Sequence, residues 1–373
     1  MQLGHSCGEQ PAWRTDELWC AQVDDFVAPT VAEAEAGVES LQGLRSFFSP
    51  VFYSWDAAQE RIVRGLDGIP DKVEGQPVLF IGNHQTLSLD LGLLVSQVYQ
   101  DKGILMRGLA HPVLFRGAGA AGGGFGAVPG AIPQRGAAAQ QESGALGDMP
   151  ASQTNFFEKF GAVPVSGRNA AKLMRRGDAV LLFPGGVKET IPAAREDKYK
   201  LMWPDKAEFV RLAAKYNATI VPFGAVGAAE SLSVVASVDE LEALRQSPLG
   251  KALSRRSARG ASQEQTVAWD NNFGGPGGVD PERLKFPPSP LALPAPLWDM
   301  SRMYFYFGKP LTAAEMDVSS DEATDATYAT VKAEVESCIS YLLRKRSSDP
   351  YKDLIPRAAY ERLNGKQAPS FEP

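Results

Sequence analysis

The stretch VLFIGNHQTLSLD, residues 78–90, decides the fold of this chain. It opens with the short apolar run Val78–Ile81, which is typical of a buried strand, and passes through a polar turn into a helical pattern over Leu87–Tyr99. Similar strand candidates follow at Ile104–Leu109, Phe160–Val165, Ala179–Phe183, Thr219–Phe223 and Tyr304–Phe307. Helical patterns separate several of them. This alternation predicts an α/β fold, with a single largely parallel sheet flanked by helices.

Helix signals support the same architecture. An Ala- and Glu-rich helix is predicted over Val31–Ser40, and another helix is predicted to stop near Gly177. Asp205 can cap a helix that runs through Tyr216. A C-terminal amphipathic helix is marked by the apolar series Val331, Val335, Cys338 and Leu342.

The chain of 373 residues divides unevenly by composition. Residues 1–43 form a polar N-terminal segment, 44–360 the main domain and 361–373 a tail. Two low-complexity insertions interrupt the domain, at residues 117–152 and 246–296. The first is dominated by Gly and Ala, with few large apolar residues, so it is not expected to pack a core; the second is rich in Ser, Gly and Pro and ends in a Pro-punctuated run. Both are predicted to be disordered.

Composition excludes several classes of protein. The net charge of −6 and pI near 5.3 argue against a protein built to bind nucleic acid. Three scattered cysteines form neither a disulfide framework nor a metal cluster, so no metal or redox cofactor is expected. No apolar run approaches the roughly 18–20 residues of a membrane-spanning helix. Residues 1–25 resemble neither a signal peptide nor a transit peptide.

Two glycine motifs look functional but lack the required context. Gly117–Gly122 fits the dinucleotide pattern G-x-G-x-x-G, yet more glycines follow where a helix should begin. Gly4–Gly8 fits the nucleophile-elbow pattern G-x-S-x-G, but three preceding residues cannot supply the strand on which an elbow sits. We expect neither a dehydrogenase nor a serine-elbow hydrolase.

The informative pair is His84 and Asp90. A neutral imidazole can take a proton from a hydroxyl near pH 7, and a carboxylate on its other nitrogen fixes its tautomer. On one continuous helix the two side chains would lie about 120° apart. Asp90 therefore reaches His84 only if His84 lies in the loop and the helix begins later, near Ser88. The alternative is a helix-capping turn in which Asp90 complements the helix dipole.

Two further segments follow strands and carry groups that bind anions. The run Phe183–Glu189 contains Pro-Gly-Gly, whose backbone N–H groups can cradle an oxyanion or a phosphate if they are free. Its alternative is a plain tight turn. The run Gly161–Arg168 ends in an arginine that can clamp a phosphate or be an ordinary surface residue.

One segment is unusually aromatic. Between Leu44 and Trp55 lie Phe47, Phe48, Phe52, Tyr53 and Trp55. These side chains either form an interfacial foot that enters a lipid surface or pack onto the sheet.

Together these motifs resemble the glycerolipid acyltransferase superfamily. Its ordered blocks correspond here to Asn83-His84 with Asp90, Gly161–Arg168, Phe183–Gly186 and Ile220–Pro222. More closely, the chain resembles the phytyl ester synthase branch of plants and algae, which is related to type 2 diacylglycerol acyltransferases. The matching runs include RIVRGLDGIP at 61–70, RGLAHP at 107–112, FPGGVKE at 183–189, YKLMWP at 199–204, VPFGAVG at 221–227 and YFYFGKP at 304–310.

The resemblance implies an enzyme that moves an acyl group from acyl-CoA or acyl carrier protein to a neutral lipid alcohol such as phytol or diacylglycerol. His84 would be the general base and Asp90 its partner. Gly185, Gly186 and Lys188 would bind the oxyanion or the donor, and Arg168, Asn83 and Pro222 the substrate. No cofactor beyond the acyl thioester is implied. The resemblance also implies work at the surface of a membrane or lipid droplet in the chloroplast.

The sequence departs from the superfamily in three places. Five residues separate His84 from Asp90, where the wider superfamily has four and the phytyl ester synthase branch tends to have five. The third block lacks the Glu-Gly-Thr-Arg ending that goes with phosphate-bearing acceptors, which favours a neutral alcohol. Family members usually carry an α/β-hydrolase domain upstream; Gly4-His5-Ser6 resembles its last segment, so we expect residues 1–43 to hold a remnant of it.

Two other functions stay open. A lipid esterase or thioesterase would use the same His–Asp base to activate water. A catalytically silent lipid-binding protein would keep the fold without the chemistry.

Overall fold

A computed structural model describes residues 26–110, 159–191, 198–205, 208–237 and 291–373, with the single residues 23, 239, 240, 243, 246 and 247. The predicted insertion at 117–152 lies outside the described residues, as do residues 248–290 of the one at 246–296; the end of the second is not disordered as predicted, because residues 291–294 form a strand. His111 and the N-terminal motif at residues 4–8 lie outside them too.

The described residues form ten strands. Eight of them build the main sheet: β1 Val51–Asp56, β2 Arg61–Arg64, β3 Val78–Gly82, β4 Met106–Ala110, β5 Val163–Pro164, β6 Ala179–Leu182, β7 Thr219–Val226 and β10 Tyr304–Phe307. The other two, β8 Leu232–Ala236 and β9 Leu291–Pro294, pair with each other. The helices are α1 Val31–Ser40, α2 Gln42–Phe48, α3 Leu91–Lys102, α4 Gly167–Arg175, α5 Phe209–Lys215, α6 Asp321–Lys345 and α7 Leu354–Asn364.

The main sheet is mostly parallel, as predicted. Its order is β2-β1-β10-β7-β3-β6-β4-β5, and the five strands from β7 to β5 are mutually parallel. Strand β10 joins them antiparallel, β1 pairs parallel with β10, and β2 returns antiparallel. The central strands are buried along their whole length, which explains why each is a continuous apolar run in the sequence.

A core lies on each face of the sheet. Successive residues of β3 point to opposite sides, so Leu79 and Ile81 enter one core while Val78 and Phe80 enter the other. Helices α4, α5 and α6 cover the first core, and α2 and α3 cover the second. The predicted apolar face of α6 is buried throughout.

The aromatic segment mostly packs onto the sheet. Phe48, Phe52 and Tyr53 are buried, and the ring of Phe52 stacks on Phe305 with 4.7 Å between centroids. The interfacial foot is therefore wrong for these three side chains. Trp55 is partly buried, and the ammonium of Lys309 lies 4.4 Å from its ring centroid.

Residues 361–373, set apart as a tail by composition, pack against the sheet. The buried guanidinium of Arg302 donates to the carbonyl oxygens of Ala368, at 2.7 Å, and Pro369, at 2.9 Å. The ring of Phe371 stacks on Tyr53 with 4.7 Å between centroids. These contacts bring Phe371, near the end of the chain, into the hydrophobic core on one face of the sheet.

Two helix starts differ from the sequence predictions. Asp205 does not cap α5, which begins at Phe209 with Glu208 at its N-cap position and no side-chain capping bond. Helix α3 begins at Leu91 rather than Leu87, because Thr86–Ser88 form a separate 3₁₀ turn. The second difference shapes the site.

Candidate active site

The topology brings three loops to one edge of the sheet. Strands β6, β3 and β7 are parallel neighbours, so their carboxyl ends meet there. From β3 the chain continues to β4, which lies beyond β6 in the sheet. From β6 it continues to β7, which lies on the other side of β3. Connections that part in opposite directions open a crevice at the strand ends, which is the usual ligand site of such sheets.

The loop after β3 holds His84 against Asp90. Because α3 begins only at Leu91, His84 lies in the loop and the geometric condition for the pair is met. His84 Nδ1 lies 3.3 Å from Asp90 Oδ1, and Asp90 is fully buried. These two atoms do not form a well-aligned hydrogen bond. Catalytic contacts of this kind often tighten only when substrate binds. Asp90 occupies the N-cap position of α3, where its charge also suits the helix dipole, but it makes no side-chain capping bond there; its second oxygen accepts the N–H of Gln85 at 3.3 Å.

The remaining contacts of the imidazole fix its plane. The ring stacks on Phe183 with 4.1 Å between centroids and 12° between planes. His84 Nε2 lies 3.2 Å from the hydroxyl of Ser88. Ser88 has a φ of 55°, a left-handed conformation that is strained for a residue with a side chain. Such strain often accompanies a functional loop.

Amide side chains tie this loop to β7. The Asn83 side chain donates to the carbonyl of Ala225, at 2.9 Å, and accepts from its N–H, at 2.8 Å. Gln85 donates to the same carbonyl and accepts from the N–H of Ala228. Asn83 was predicted to bind substrate. Both ends of its amide bond backbone, which ties the loop that carries His84 to β7; Asn83 also lines the cleft, so substrate binding stays a prediction.

The turn after β6 differs from the predicted cradle of free N–H groups. The N–H of Gly186 donates to the carbonyl of Phe183 at 3.0 Å, so this predicted oxyanion donor is already used. Gly185 is buried beneath Glu189, and a Cβ added to Gly185 would lie 2.2 Å from Glu189 Cδ. Lys188 is exposed and lines the cleft beside His84.

Glu189 is a site residue that the sequence analysis did not assign. Its Oε2 accepts the N–H of His84 and its Oε1 accepts the N–H of Met202, each at 2.8 Å. Burial raises the pKa of this carboxyl to about 7, although the two N–H donors oppose the shift. The only sequence signal was its place at the end of the run 183–189.

The cleft beside His84 is lined by polar and apolar side chains from four segments: Asn83, His84, Gln85, Thr86, Lys188, Glu189, Ile191, Lys198, Tyr199, Lys200, Met202 and Ala229. Tyr199 is anchored at its far end, where its hydroxyl bonds Glu230 and accepts the N–H of Gly227 at 2.8 Å. Within the described ranges, no three His, Cys, Asp or Glu side chains meet as metal ligands would.

Two predicted substrate residues lie away from this cleft. Pro222 is buried inside β7, opposite Ile81 of β3, so it packs within the sheet instead of facing a ligand. Arg168 is exposed in the first turn of α4, after the edge strand β5, and strands β4 and β6 separate that strand from β3. It shares the edge with His84 but does not line the cleft.

The comparisons with known proteins support the predicted family. Residues 60–226 match the acyltransferase family model, a span that contains His84, Asp90 and the turn after β6. The chain therefore belongs to the acyltransferase superfamily, as its ordered motifs predicted.

Within that superfamily the chain falls in the phytyl ester synthase branch. It is 34% identical to phytyl ester synthase 2, chloroplastic, of Arabidopsis thaliana over 357 residues, covering 94% of this chain and 44% of the relative. It is 33% identical to phytyl ester synthase 1, chloroplastic, of the same plant over 371 residues, covering 97% and 45%. The chain thus spans less than half the length of these relatives. No solved structure is significantly similar to it.

Proposed function

We propose that this domain transfers a fatty acyl group from a thioester donor to the hydroxyl of a neutral lipid alcohol. The observation that carries the proposal is the His84–Asp90 pair in a cleft at the carboxyl edge of the sheet. The names of the two relatives make phytol the first alcohol to test, with diacylglycerol the second. Acyl-CoA and acyl carrier protein are the donors to compare.

His84 acts as the general base in this reaction. Asp90 holds a proton on Nδ1, so Nε2 takes the proton of the alcohol as its oxygen attacks the thioester carbonyl. The carbon–sulfur bond then breaks, and the thiolate leaves without needing a proton first. General-base catalysis of this kind contributes about 10²–10⁴-fold, and the rest of the rate comes from positioning and from stabilising the oxyanion.

Charge at the rim of the cleft suits the donor. Lys188 and Lys198 line it beside His84, and an ammonium group attracts the phosphates that accompany the thioester of either donor. We assign Lys188 to donor binding. Gly185 stays a backbone candidate for the oxyanion, whereas the engaged Gly186 does not.

The acceptor places the reaction at a lipid surface. Among the described residues, no helix is both long and apolar enough to span a bilayer. Exposed apolar side chains near the cleft, such as Met202, and beyond β9, such as Leu297 and Trp298, suit contact with a membrane or lipid droplet. Both relatives are named as chloroplastic, which supports the chloroplast as the compartment.

The test is acyl transfer by the purified chain. Labelled acyl-CoA is supplied with phytol or diacylglycerol in lipid vesicles, and both ester and free fatty acid are measured. We expect ester with at least one alcohol, and its loss in His84→Ala, while circular dichroism shows an intact fold. Free fatty acid made without acceptor would identify an esterase or thioesterase. Neither product, with acyl carrier protein donors also tried, would identify a silent lipid-binding protein.

A further inference from the structure

Glu189 joins the two walls of the cleft through one carboxylate. It lies in the 3₁₀ turn Gly186–Thr190, after β6. One of its oxygens accepts the backbone N–H of His84, and the other accepts the backbone N–H of Met202. The first wall carries the base, and the second, from Tyr199 to Met202, lines the same cleft.

The chemistry of these two bonds requires a carboxylate. Both partners are N–H donors, so both side-chain oxygens must accept. A glutamine would offer one acceptor and turn its own N–H groups towards the other donor. Burial disfavours the charged form of Glu189, whereas the two N–H donors favour it. A group retained against such a penalty in a cleft is a candidate for a functional role.

Neighbouring residues leave space for the Glu189 side chain and hold the second wall in place. The Glu189 side chain folds back over Gly185, where any Cβ would clash with it. The far wall is held a second time, since the Tyr199 hydroxyl accepts the N–H of Gly227 at the end of β7. Arg346 in turn pairs with Glu230, the other partner of Tyr199, at 2.9 Å.

We propose that Glu189 is a positioning residue, which sets the backbone of His84 against the wall Tyr199–Met202 and so holds the base at its working position. The effect on rate rests on the proposed acyltransferase function. The effect on the geometry of His84 does not, and the two can be measured separately.

The kinetic test compares Glu189→Gln with wild type. Glu334→Gln is the matched control, because Glu334 also accepts a backbone N–H, that of Lys309 at 3.0 Å, above a glycine, and does not line the cleft. We expect kcat to fall about tenfold to a hundredfold in Glu189→Gln, as small displacements of a catalytic group do. KM for both substrates should change less than threefold, and Glu334→Gln should keep wild-type kcat. An effect on KM alone, or an equal loss in Glu334→Gln, would overturn the proposal.

The second test does not depend on activity. Diethylpyrocarbonate modifies histidines, and mass spectrometry follows each one, so His5 and His111 serve as references within the same chain. The His84 side chain is only 11% exposed, and we expect its modification, relative to the references, to rise at least threefold in Glu189→Gln but not in Glu334→Gln. Unchanged modification together with unchanged kcat would refute positioning. Increased modification in a protein that makes no ester would support positioning and remove the proposed function instead.

Discussion

At the scale of single residues, the chemistry depends on which nitrogen of His84 carries a proton. Asp90 is fully buried and faces Nδ1, so it favours a proton there and leaves Nε2 as the acceptor. The stacked ring of Phe183 prevents the imidazole from turning away. One carboxylate and one aromatic ring thus define the direction in which the base acts.

Asp90→Asn tests this assignment. An amide has nearly the same shape but no charge, and it can favour the wrong tautomer. We expect kcat for ester formation to fall about 10²–10⁴-fold. Asp101→Asn is the control. Asp101 lies in α3, and its carboxylate accepts a hydrogen bond from the Gln97 side chain away from the cleft. It should stay within twofold of wild type. Half-retained activity in Asp90→Asn would argue against the His–Asp pair as the base.

Ser88→Ala tests whether the hydroxyl on Nε2 reacts. Ser88, His84 and Asp90 lie in the order of a serine triad, but Ser88 does not line the cleft. We expect the acceptor alcohol to replace this hydroxyl at Nε2, so transfer should stay within about threefold of wild type. An inactive Ser88→Ala protein, with an acyl group found on Ser88 of wild type by mass spectrometry, would instead indicate a covalent acyl-enzyme route.

The pair His84–Asp90 could be predicted from the sequence because its geometry depends on one local variable, the start of α3. Asn83 and Glu189 could not be assigned in the same way. Their partners, Ala225 and His84, lie 142 and 105 residues away in the chain. When a polar side chain bonds backbone groups far away in the chain, the residues next to it in the sequence do not reveal its role.

At the scale of elements, the shape of the turn after β6 is explained by the Glu189 side chain that lies over it. Gly186 has a φ of 55° and open space around it, while Gly185 has no room for a side chain because Glu189 covers it. The sequence predicted a glycine turn whose N–H groups wait for a ligand. The N–H of Gly186 instead closes the turn on Phe183, and the carboxylate of Glu189 lies over Gly185.

Gly185→Ala should therefore disturb the cleft through Glu189. The added methyl group would displace the carboxylate from its two N–H partners, and we expect kcat to fall at least tenfold. Gly43→Ala is the control, since a Cβ there meets nothing within 4 Å. In its helix this change should leave activity intact and raise stability by about 0.5–1 kcal/mol. Equal activities of the two variants would show that the seat of Glu189 is unimportant.

The elements themselves were predicted unevenly. Strands such as β10 and the buried face of α6 were evident because complete burial leaves continuous apolar runs or a helical apolar stripe. Strand β2 was not, since its residues are exposed or half-buried at the edge of the sheet and follow no apolar pattern. The cap of α5 was misplaced because this helix has no side-chain cap to mark its start.

At the scale of the whole molecule, a buried carboxylate that serves the site should weaken the fold. The ordinary pKa of Glu189 is 4.5, and burial raises it to about 7 in the folded chain. Between these values the folded protein binds a proton that the unfolded chain has released. Stability contributed by this group is therefore fully present below pH 4.5 and is lost as the pH rises through 7.

Glu189→Gln removes this titration. His84, Asp90 and Lys188, the ionisable groups around the carboxyl, are the same in both proteins, so their effects largely cancel in the difference. We expect the free energy of unfolding of Glu189→Gln, relative to wild type, to increase by about 2–3 kcal/mol between pH 5 and pH 8. Urea unfolding of both proteins at several pH values measures it. A difference that is flat with pH would mean that Glu189 is ionised without penalty. A more stable but slower Glu189→Gln protein would show that the carboxylate is kept for the site at the expense of the fold.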